Sequence, residues 1–380
     1  MKLYEYEGIE LFRKENIPIP RYALASTPEE AVQKAEEVGL PVVIKAQVLT
    51  GGRFMAGGVK SATTLEEVKL VAGRILGSQI RGLPVDKLMI SESVDVFQEF
   101  YLAITLDDYR GHPLAIISAE GGVTINNIAQ ERSEVVVSRA VSISRGLDFT
   151  QARRMCRDAG LKGKNQAQVA TLLVSLYDVF RNNDALIAEI NPLVRTRKGE
   201  FIALDSKVEL DDSGLFRHTD LGLSQESRIM NPLERKGKEI GVSYLEMDGD
   251  IAIIASGAGL GMASMDIVSQ RLKPANFLET GGAITADLLY NVMDLVLQKE
   301  GVRAIFINVY GGINPIHEGA EGIVRYIKEH NITIPIVAKA LGNRQEETWE
   351  IFKKQGIHVT NDVSTESGVE ELARLLEGTS

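Results

Sequence analysis

Short apolar runs alternate with amphipathic segments throughout the second half of the chain. Each run is followed by a loop and then by a segment with helical periodicity, and this order occurs five times. The predicted strands are 251–255, 276–279, 304–310, 335–339 and 358–360, and the helices after them end near residues 271, 299, 330, 355 and 377. A strand–loop–helix unit that repeats in this way predicts a doubly wound, flavodoxin-like parallel sheet.

The first half has longer elements and fewer crossovers between its strands, which predicts an α+β domain. The predicted helices are 4–15, 27–38, 64–76 and 167–181, and the predicted strands are 41–45, 87–91, 100–107, 114–118, 186–190 and 202–206. Thr27 and Glu30 have the spacing of a capping box at the start of the second helix. A polar stretch that contains Pro232 is the expected boundary, which gives domains of 1–237 and 238–380.

Composition and charge exclude several classes of protein. The chain has 380 residues, which suggests two or three domains, and its 44% hydrophobic content is that of an ordinary globular protein. The net charge of −10 disfavours nucleic acid as a partner. No apolar run approaches the roughly 20 residues that span a membrane, and the acidic first residues do not resemble a signal peptide. Because the single cysteine, Cys156, cannot form an internal disulfide, we expect a cytoplasmic protein.

Of the 35 glycines, 13 lie in short clusters at the ends of predicted strands. The clusters are 51–52, 57–58, 121–122, 257–261, 281–282 and 311–312. Glycine permits a positive φ and a close approach of the backbone to a ligand. Any single pair can be a simple turn, but several pairs that each follow an apolar run favour cradles for phosphate or carboxylate groups.

Lys45 ends a predicted buried strand, and a glycine-rich loop over residues 51–58 begins shortly after it. An ammonium group at a strand end, beside loop amides, suits the phosphates of a nucleotide. The residue order of a Walker loop does not occur in this segment. The alternative interpretation is a solvated lysine followed by a flexible hairpin.

Glu189 and Asn191 alternate onto one face of a predicted strand, and Asp205 lies near the end of the next strand. A carboxylate and an amide oxygen that converge from adjacent strands can bind Mg²⁺, a hard ion that prefers oxygen ligands and shares them with phosphate. The alternative is that these are ordinary polar residues at strand ends.

The combination of these segments resembles the ATP-grasp superfamily, and the match is closer still to the β subunits of succinyl-CoA synthetase. The matching motifs of the first half are Leu3-x-Glu5-Tyr6, Lys45-Ala-Gln-Val48, Gly51-Gly52-Arg53, Ala56-Gly57-Gly58-Val59-Lys60, Glu120-Gly121-Gly122-Val123, Glu189-Ile-Asn-Pro-Leu193 and Leu204-Asp205-x-Lys207. Those of the second half are Gly257-Ala-Gly-Leu260, Met265-Asp-Ile-Val268, Pro274-Ala-Asn-Phe277 and Asn308-Val-Tyr-Gly-Gly-Ile313. The resemblance therefore covers essentially the whole chain.

This resemblance implies an N-terminal ATP-grasp domain followed by a flavodoxin-like CoA-ligase domain. It implies the β subunit of an ADP-forming acid–CoA ligase, which converts Mg-ATP, a carboxylic acid and CoA to acyl-CoA, ADP and phosphate. In the family the reaction passes through a phosphohistidine, and both that histidine and the CoA site belong to a separate α subunit. The expected partners are therefore an α subunit and a small carboxylic acid.

The resemblance also implies roles for individual residues. The residues implied to hold the nucleotide are Lys45, Gly52, Arg53, Phe54, the segment from Ser91 to Val94, and Glu99. The implied Mg²⁺ ligands are Asn191 and Asp205, and the implied catalytic residue, which would hold the phosphohistidine, is Glu189. The residues implied to bind the carboxylic acid are Ser256, Gly312, Ile313 and Asn314.

The chain departs from the family pattern mainly around the expected carboxylate site. Family members commonly have Val or Thr, then Arg-Cys-Asp, where this chain has Asn314-Pro315-Ile316-His317. The other departures are Ser256 for asparagine, Gly281-Gly282-Ala283 for a triple glycine, Lys339-Ala340-Leu341 for Arg-Leu-Glu, and Phe54-Met55 for Gly-Lys. Changed polar residues in such a site can reset the choice of substrate.

The intact family framework favours succinate as the carboxylic acid. The departures nevertheless leave two alternatives open. The same chemistry on malate or citrate is one, and a catalytically inactive homologue is another. A carboxylate–amine ligase is disfavoured because such enzymes lack this C-terminal half. His317 follows a glycine cluster, and we interpret it as a residue that begins a helix rather than as a catalytic histidine.

Overall fold

The chain divides into two compact units, residues 1–222 and 223–380. A computed structural model describes residues 1–122, 136–282 and 284–378. The boundary that the sequence predicts, between 237 and 238, lies inside the helix Pro232–Ile240, which packs against elements of the second unit. Asn231 caps this helix and Pro232 occupies its first turn, so the polar stretch begins a helix rather than a linker.

The first unit has the mixed composition of an α+β domain. Its helices are α1 (Glu5–Lys14), α2 (Pro28–Val38), α3 (Leu65–Ile75), α4 (Phe149–Asp158) and α5 (Gly163–Asn182). Its strands are β1 (Tyr22–Ala25), β2 (Val42–Ala46), β3 (Val59–Ala62), β4 (Gln79–Ile80), β5 (Leu83–Pro84), β6 (Leu88–Glu92), β7 (Val96–Asp107), β8 (His112–Ser118), β9 (Val136–Ala140), β10 (Ala185–Thr196), β11 (Phe201–Ala203) and β12 (Lys207–Leu210).

Two antiparallel sheets contain most of these strands, and β4 and β5 form a separate two-stranded sheet. The smaller sheet has the order β1-β6-β2-β3, and the larger one has the order β11-β10-β7-β8-β9, with β12 also paired to β10. Strand β10 lies beside β7 over most of its length, with a register shift between Ile190 and Leu193. The predicted metal ligand Asn191 lies within this shift, and the other, Asp205, lies in the loop between β11 and β12.

The N-terminal cap of α2 follows the sequence pattern with one difference. The Thr27 hydroxyl accepts a hydrogen bond from the Glu30 amide (3.1 Å), as a capping box requires. The Glu30 carboxylate, however, accepts its bond from the amide of Ser26 (2.8 Å) rather than from that of Thr27. The predicted start of α2 is therefore confirmed, while the reciprocal bond falls one residue earlier.

The second unit is the doubly wound domain that the alternation predicts. Its helices are α6 (Pro232–Ile240), α7 (Ala258–Ser269), α8 (Ala286–Leu297), α9 (His317–His330), α10 (Gln345–Lys354) and α11 (Thr365–Glu377). Its strands are β13 (Ser243–Glu246), β14 (Ile251–Ala255), β15 (Asn276–Glu279), β16 (Ala304–Gly311), β17 (Ile336–Gly342) and β18 (His358–Thr360). The sheet order is β13-β15-β14-β16-β17-β18, and β13 is an antiparallel edge strand.

Alternate residues of the central strands pack into two separate cores, one on each face of the sheet. Ile253 lies in the core that includes residues of α7 and α11, whereas its neighbour Ile254 lies in the core formed with α8 and α9. Burial on both faces explains why these strands are continuous apolar runs. Among the helices of the described ranges, none has the length and apolar character needed to cross a membrane.

Close packing of α8 against α9 depends on Gly322. A Cβ atom at this position would lie 1.9 Å from the carbonyl oxygen of Ala286. We expect Gly322→Ala to lower the free energy of unfolding by roughly 3 kcal/mol, because backbone atoms would have to move apart. Gly73→Ala in α3 is the matched control, since its nearest neighbour is 3.9 Å away, and alanine should there stabilise the helix by up to about 1 kcal/mol. Urea unfolding followed by circular dichroism measures both; equal stabilities would contradict the packing.

Candidate functional site

The Lys45 side chain is buried near the end of β2, where β2 pairs with β3 and β6. Its ammonium nitrogen lies 2.8 Å from Oε1 of Glu5 and donates a hydrogen bond to the carbonyl oxygen of Leu204 at 2.5 Å. The alternative of a solvated lysine is therefore wrong. A charged group at this depth must have partners, and Glu5 supplies the opposite charge.

Arg53 joins the same group of charges from the glycine-rich loop. Its Nη1 atom lies 2.6 Å from Oε2 of Glu5 and donates to the carbonyl oxygen of Ala46 at 3.1 Å. Its Nη2 atom lies 2.7 Å from Oδ1 of Asp205. Lys45, Glu5, Arg53 and Asp205 thus form a connected chain of alternating charges, which we call the charge network.

Glu5 is a member of this network to which the sequence analysis gives no role. It is only 3% exposed, at the start of α1. Burial opposes its ionisation, but Arg53 and Lys45 outweigh this and hold the pKa of the carboxyl below its usual range. One signal in the sequence could have identified it. Ile9 and Phe12 follow Glu5 at i+4 and i+7, which places this acidic residue on the apolar face of the helix.

The tip of the glycine-rich loop is exposed to solvent. Gly52 has a φ of +71°, and the Phe54 side chain is 62% exposed. Backbone hydrogen bonds from Ala56 to Gly52 and from Gly58 to Arg53 fold the loop into turns. The structure therefore brings Arg53 into the charge network, whereas Phe54 lies outside it.

A second group of polar side chains lies on β10 and its neighbours. The Glu189 carboxylate lies near the side chains of Tyr101 and Asn191, both of which influence its pKa, and 3.8 Å from the ammonium of Lys207. Burial, and to a smaller extent the nearby Asp205 charge, raises the pKa of Glu189 above its ordinary value. Burial and the Glu189 charge also raise the pKa of Tyr101. The predicted shared face of Glu189 and Asn191 is confirmed.

Asp205 lies between the two groups. The predicted strand 202–206 ends at Ala203, so Asp205 belongs to the loop between β11 and β12 rather than to a strand. Its side chain is 40% exposed and pairs with Arg53. The residues around it bind to β10, because the Leu204 amide donates to the carbonyl oxygen of Pro192 at 3.1 Å and Lys207 lies opposite Glu189 in the sheet. The charge network and the polar face of β10 formed by Glu189 and Asn191 are therefore parts of one site within the first unit.

The glycine pair at 121–122 packs closely against β7. A Cβ atom on Gly121 would lie 2.5 Å from the backbone of Phe100, and one on Gly122 would lie 2.2 Å from Oε2 of Glu99. Gly122 also has a φ of +87° and donates its amide to Oδ1 of Asn191 at 2.8 Å. Gly122 therefore contacts both Glu99 and Asn191, which shares a face of β10 with Glu189. Val123, the last residue of this motif, is outside the described residues.

Substitution of Gly122 tests whether Glu99 has its implied role. We expect Gly122→Ala to displace the Glu99 carboxylate and to weaken ADP binding roughly 3- to 10-fold. Gly111→Ala is the matched control, because Gly111 also has a positive φ, +68°, but has nothing within 4 Å of its added Cβ. Both variants should lose about 1–2 kcal/mol of stability. Unchanged ADP affinity in Gly122→Ala, measured by calorimetry, would contradict a role for Glu99.

The segment from Ser91 to Val94, which the resemblance implies lies at the edge of the adenine, is partly in the interior and partly at the surface. Ser91 is buried in β6 opposite Val43, whereas Val94 is partly exposed in the segment that follows the strand. Glu92, the neighbour of Ser91, pairs at the surface with Arg21 (3.0 Å).

The donor set around Asp205 fits Mg²⁺ bound together with phosphates. The described residues contain no cluster of three or more histidine, cysteine or acidic side chains that would form an all-protein metal cage. Mg²⁺ usually takes only one or two protein ligands beside substrate phosphates. The hydrogen bonds that Asp205 accepts from Arg53 and Ser206 both end on Oδ1. Asn191 accepts one bond through an amide oxygen that has two lone pairs.

In the second unit, the residues implied for the carboxylic acid lie at the carboxyl ends of β14 and β16. The Ser256 hydroxyl accepts a hydrogen bond from the Tyr310 amide at 2.8 Å. The side-chain amide of Asn314 donates to the carbonyl oxygen of Gly282, and Ile313 is 97% exposed. Ser256 therefore contacts the end of β16, and Asn314 contacts the loop after β15. Ala283, in that loop, is outside the described residues.

His317 is the first residue of α9, which confirms its interpretation as a residue that begins a helix. The side chain is buried, and its Nε2 atom lies 3.2 Å from Nη1 of Arg344. Because an arginine can only donate a hydrogen bond, Nε2 is the acceptor in this contact.

Known families match both units. The ATP-grasp domain family matches residues 2–195, and the CoA-ligase family matches residues 254–373. The fold and the site thus define an ATP-grasp protein with a CoA-ligase domain, as the sequence predicts.

Curated relatives narrow this class. The chain is 41% identical to the β subunit of a GDP-forming succinate–CoA ligase from Thermus thermophilus, over 94% of this chain and 95% of the relative. It is 39% identical to the β subunit of an ADP-forming succinate–CoA ligase from Roseiflexus, with the same two coverages. The chain belongs to the family of succinate–CoA ligase β subunits.

A solved structure of ATP citrate lyase from Methanothrix soehngenii, in complex with citrate and coenzyme A, has the same fold. The TM-score is 0.77, and the match covers 98% of this chain and 99% of that chain. The sequence identity is 18%, so the likeness concerns the fold alone.

Proposed function

We propose that the chain is the β subunit of an ADP-forming acid–CoA ligase. Mg-ATP, a carboxylic acid and CoA give acyl-CoA, ADP and phosphate, through a phosphohistidine on a partner α subunit. The observation that carries the proposal is that Asp205 pairs with the buried Arg53 and lies in the loop that runs beside Glu189 and Asn191 on β10. Phosphoryl transfer depends mainly on positioning and on neutralisation of charge, which these groups supply.

In this proposal the charge network receives the nucleotide phosphates. Lys45 and Arg53 neutralise their charge, and the loop amides from Gly52 to Phe54 donate hydrogen bonds. Glu99, which lies beside Gly122, accepts hydrogen bonds from the ribose. The segment from Ser91 to Val94 borders the adenine. Because positioning and neutralisation of charge carry phosphoryl transfer, the proposed reaction at this site requires no side chain that acts as a general base.

Asp205 and Asn191 are the proposed ligands of Mg²⁺. When bound, the ion supplies positive charge that neutralises the phosphoryl oxygens. The fit of two oxygen ligands beside cationic side chains supports this assignment.

Glu189 is the proposed contact for the phosphohistidine of the partner. Its carboxylate is 16% exposed, so part of it remains accessible. It accepts a hydrogen bond from the imidazole N–H and stabilises the positive charge that the ring carries when it gains or loses the phosphoryl group. The CoA site is assigned to the partner as well. A cytoplasmic location belongs to the same proposal, supported by the free, buried Cys156.

Succinate is the proposed acid, and Ser256, Gly312, Ile313 and Asn314 are its proposed contacts. The names of the curated relatives support succinate, whereas a likeness of fold gives citrate no comparable support. Steady-state turnover of the complex with succinate, malate and citrate tests this choice. Turnover on succinate equal to or better than on the other acids supports the proposal; a strong preference for malate or citrate would replace succinate but retain the chemistry.

The catalytically inactive alternative rests on Phe54 and Met55, which occupy loop positions where family members commonly have Gly-Lys. Both side chains are exposed at the loop tip and leave the charge network intact. Measurable binding of Mg-ATP by the full chain, followed by turnover in the complex, would exclude this alternative.

A further inference from the structure

We propose that Glu5 is a positioning residue of the nucleotide site, which holds the Lys45 ammonium and the Arg53 guanidinium together for the phosphates. The inference rests on the proposed function, since it concerns the same site. It assigns a role to the first turn of α1.

The two oxygens of the Glu5 carboxylate serve different cations. Oε1 lies 2.8 Å from the nitrogen of Lys45, and Oε2 lies 2.6 Å from Nη1 of Arg53. The side chains of these cations are 11% and 9% exposed, so water screens little of the repulsion between them. A carboxylate between two like charges offsets this repulsion and fixes their separation.

Glu5 itself is held by contacts that do not involve the cations. Its carbonyl oxygen accepts a hydrogen bond from the Ser206 hydroxyl at 2.7 Å, and the Gln47 side-chain amide donates to Oε2 at 3.4 Å. Gly8, one turn later, packs against Ser206 so closely that an added Cβ would lie 2.6 Å from its hydroxyl oxygen. These contacts hold the first turn of α1 against Ser206, the residue that follows Asp205.

The cations, in contrast, come from different parts of the unit. Lys45 is on β2, and Arg53 is on the loop whose tip is open to solvent. Without the Glu5 carboxylate, Lys45 keeps its hydrogen bond to the Leu204 carbonyl oxygen, and Arg53 keeps Asp205 and the Ala46 carbonyl oxygen. We therefore expect the two positive charges to separate, which lowers the affinity for phosphates more than that for the nucleoside.

The test compares ADP with adenosine, which has no phosphate, by competition binding to the full chain. In Glu5→Gln we expect ADP affinity to fall roughly 10- to 100-fold, as for a lost hydrogen bond between charged groups. Adenosine affinity should stay within about twofold, because its contacts do not include the charge network. Glu37→Gln, which breaks the exposed ion pair with Lys34 (2.8 Å), is the control and should leave both affinities unchanged.

The outcomes separate this inference from the function on which it rests. A wild-type chain that binds no ADP would refute the nucleotide site and the inference with it. Wild-type binding together with an unchanged Glu5→Gln variant, or an equal loss of ADP and adenosine affinity, would overturn the inference alone. If Glu5→Gln does not fold, Glu5→Asp keeps the charge but is too short to span both cations. It should show an intermediate loss for ADP only, and wild-type ADP affinity in this variant would also overturn the inference.

Discussion

Lys45→Met should lower kcat/KM for ATP by roughly 100- to 1,000-fold in the complex with the partner subunit. Methionine retains the apolar part of the side chain but removes the ammonium group that is proposed to meet the phosphates. Glu5 keeps its ion pair with Arg53 at 2.6 Å, so no carboxylate is left buried without a partner. The loss should therefore appear in activity and nucleotide affinity rather than in folding.

Steady-state kinetics and a thermal melt of the same preparation measure these two effects separately. Lys34→Met is the control, because Lys34 pairs with the exposed Glu37 on α2 and is outside the charge network. This variant should have wild-type kinetics. A folded Lys45→Met enzyme with wild-type kcat/KM would show that the lysine is structural and would remove the main support for the phosphate site.

Glu189→Gln should reduce turnover by at least about 100-fold while Mg-ATP binding remains nearly unchanged. Glutamine has almost the same shape, but it cannot stabilise the positive charge of the partner's histidine during phosphoryl transfer. The substitution leaves the ion pairs of Lys45 and Arg53 in place, so the phosphate contacts persist. Transfer to the partner should thus fail even though the nucleotide binds.

Rapid-quench measurement of partner phosphorylation, together with calorimetry of Mg-ATP binding, distinguishes the two steps. Glu200→Gln, in the turn between β10 and β11, provides a matched loss of one carboxylate away from the site. It should behave as wild type. Normal phosphorylation in Glu189→Gln, or a loss confined to Mg-ATP affinity, would contradict the assigned role.

Much of the fold was predictable because local patterns determine it. Alternation of apolar runs with helical segments predicts the second unit nearly strand by strand, since buried parallel strands require apolar residues on both faces. The antiparallel edge strand β13 is not predicted, because Ser243–Glu246 is short and its pairing with β15 depends on distant residues. The polar stretch before it resembles a linker, although Asn231 and Pro232 begin a helix there.

Most individual residues of the candidate site were predictable from the sequence, but the ion pairs between them were not. Spacing alone places Glu189 and Asn191 on one face of β10. The position of Asp205 in a loop, and its pairing with Arg53, depend on contacts between segments 152 residues apart. The burial of Lys45 is not evident from its own segment, because its partner, Glu5, lies on α1, 40 residues earlier in the chain. Such long-range pairs leave no periodic trace in the sequence.

The central claim is that this chain passes the phosphoryl group to a histidine on a partner subunit. The most direct test incubates the native complex, and separately this chain alone, with Mg²⁺ and ATP radiolabelled at the γ-phosphate. We predict acid-labile label on the partner in the complex, discharged by CoA and succinate, and no label on this chain. Label on this chain, for example on His317, or turnover without a partner, would contradict the account.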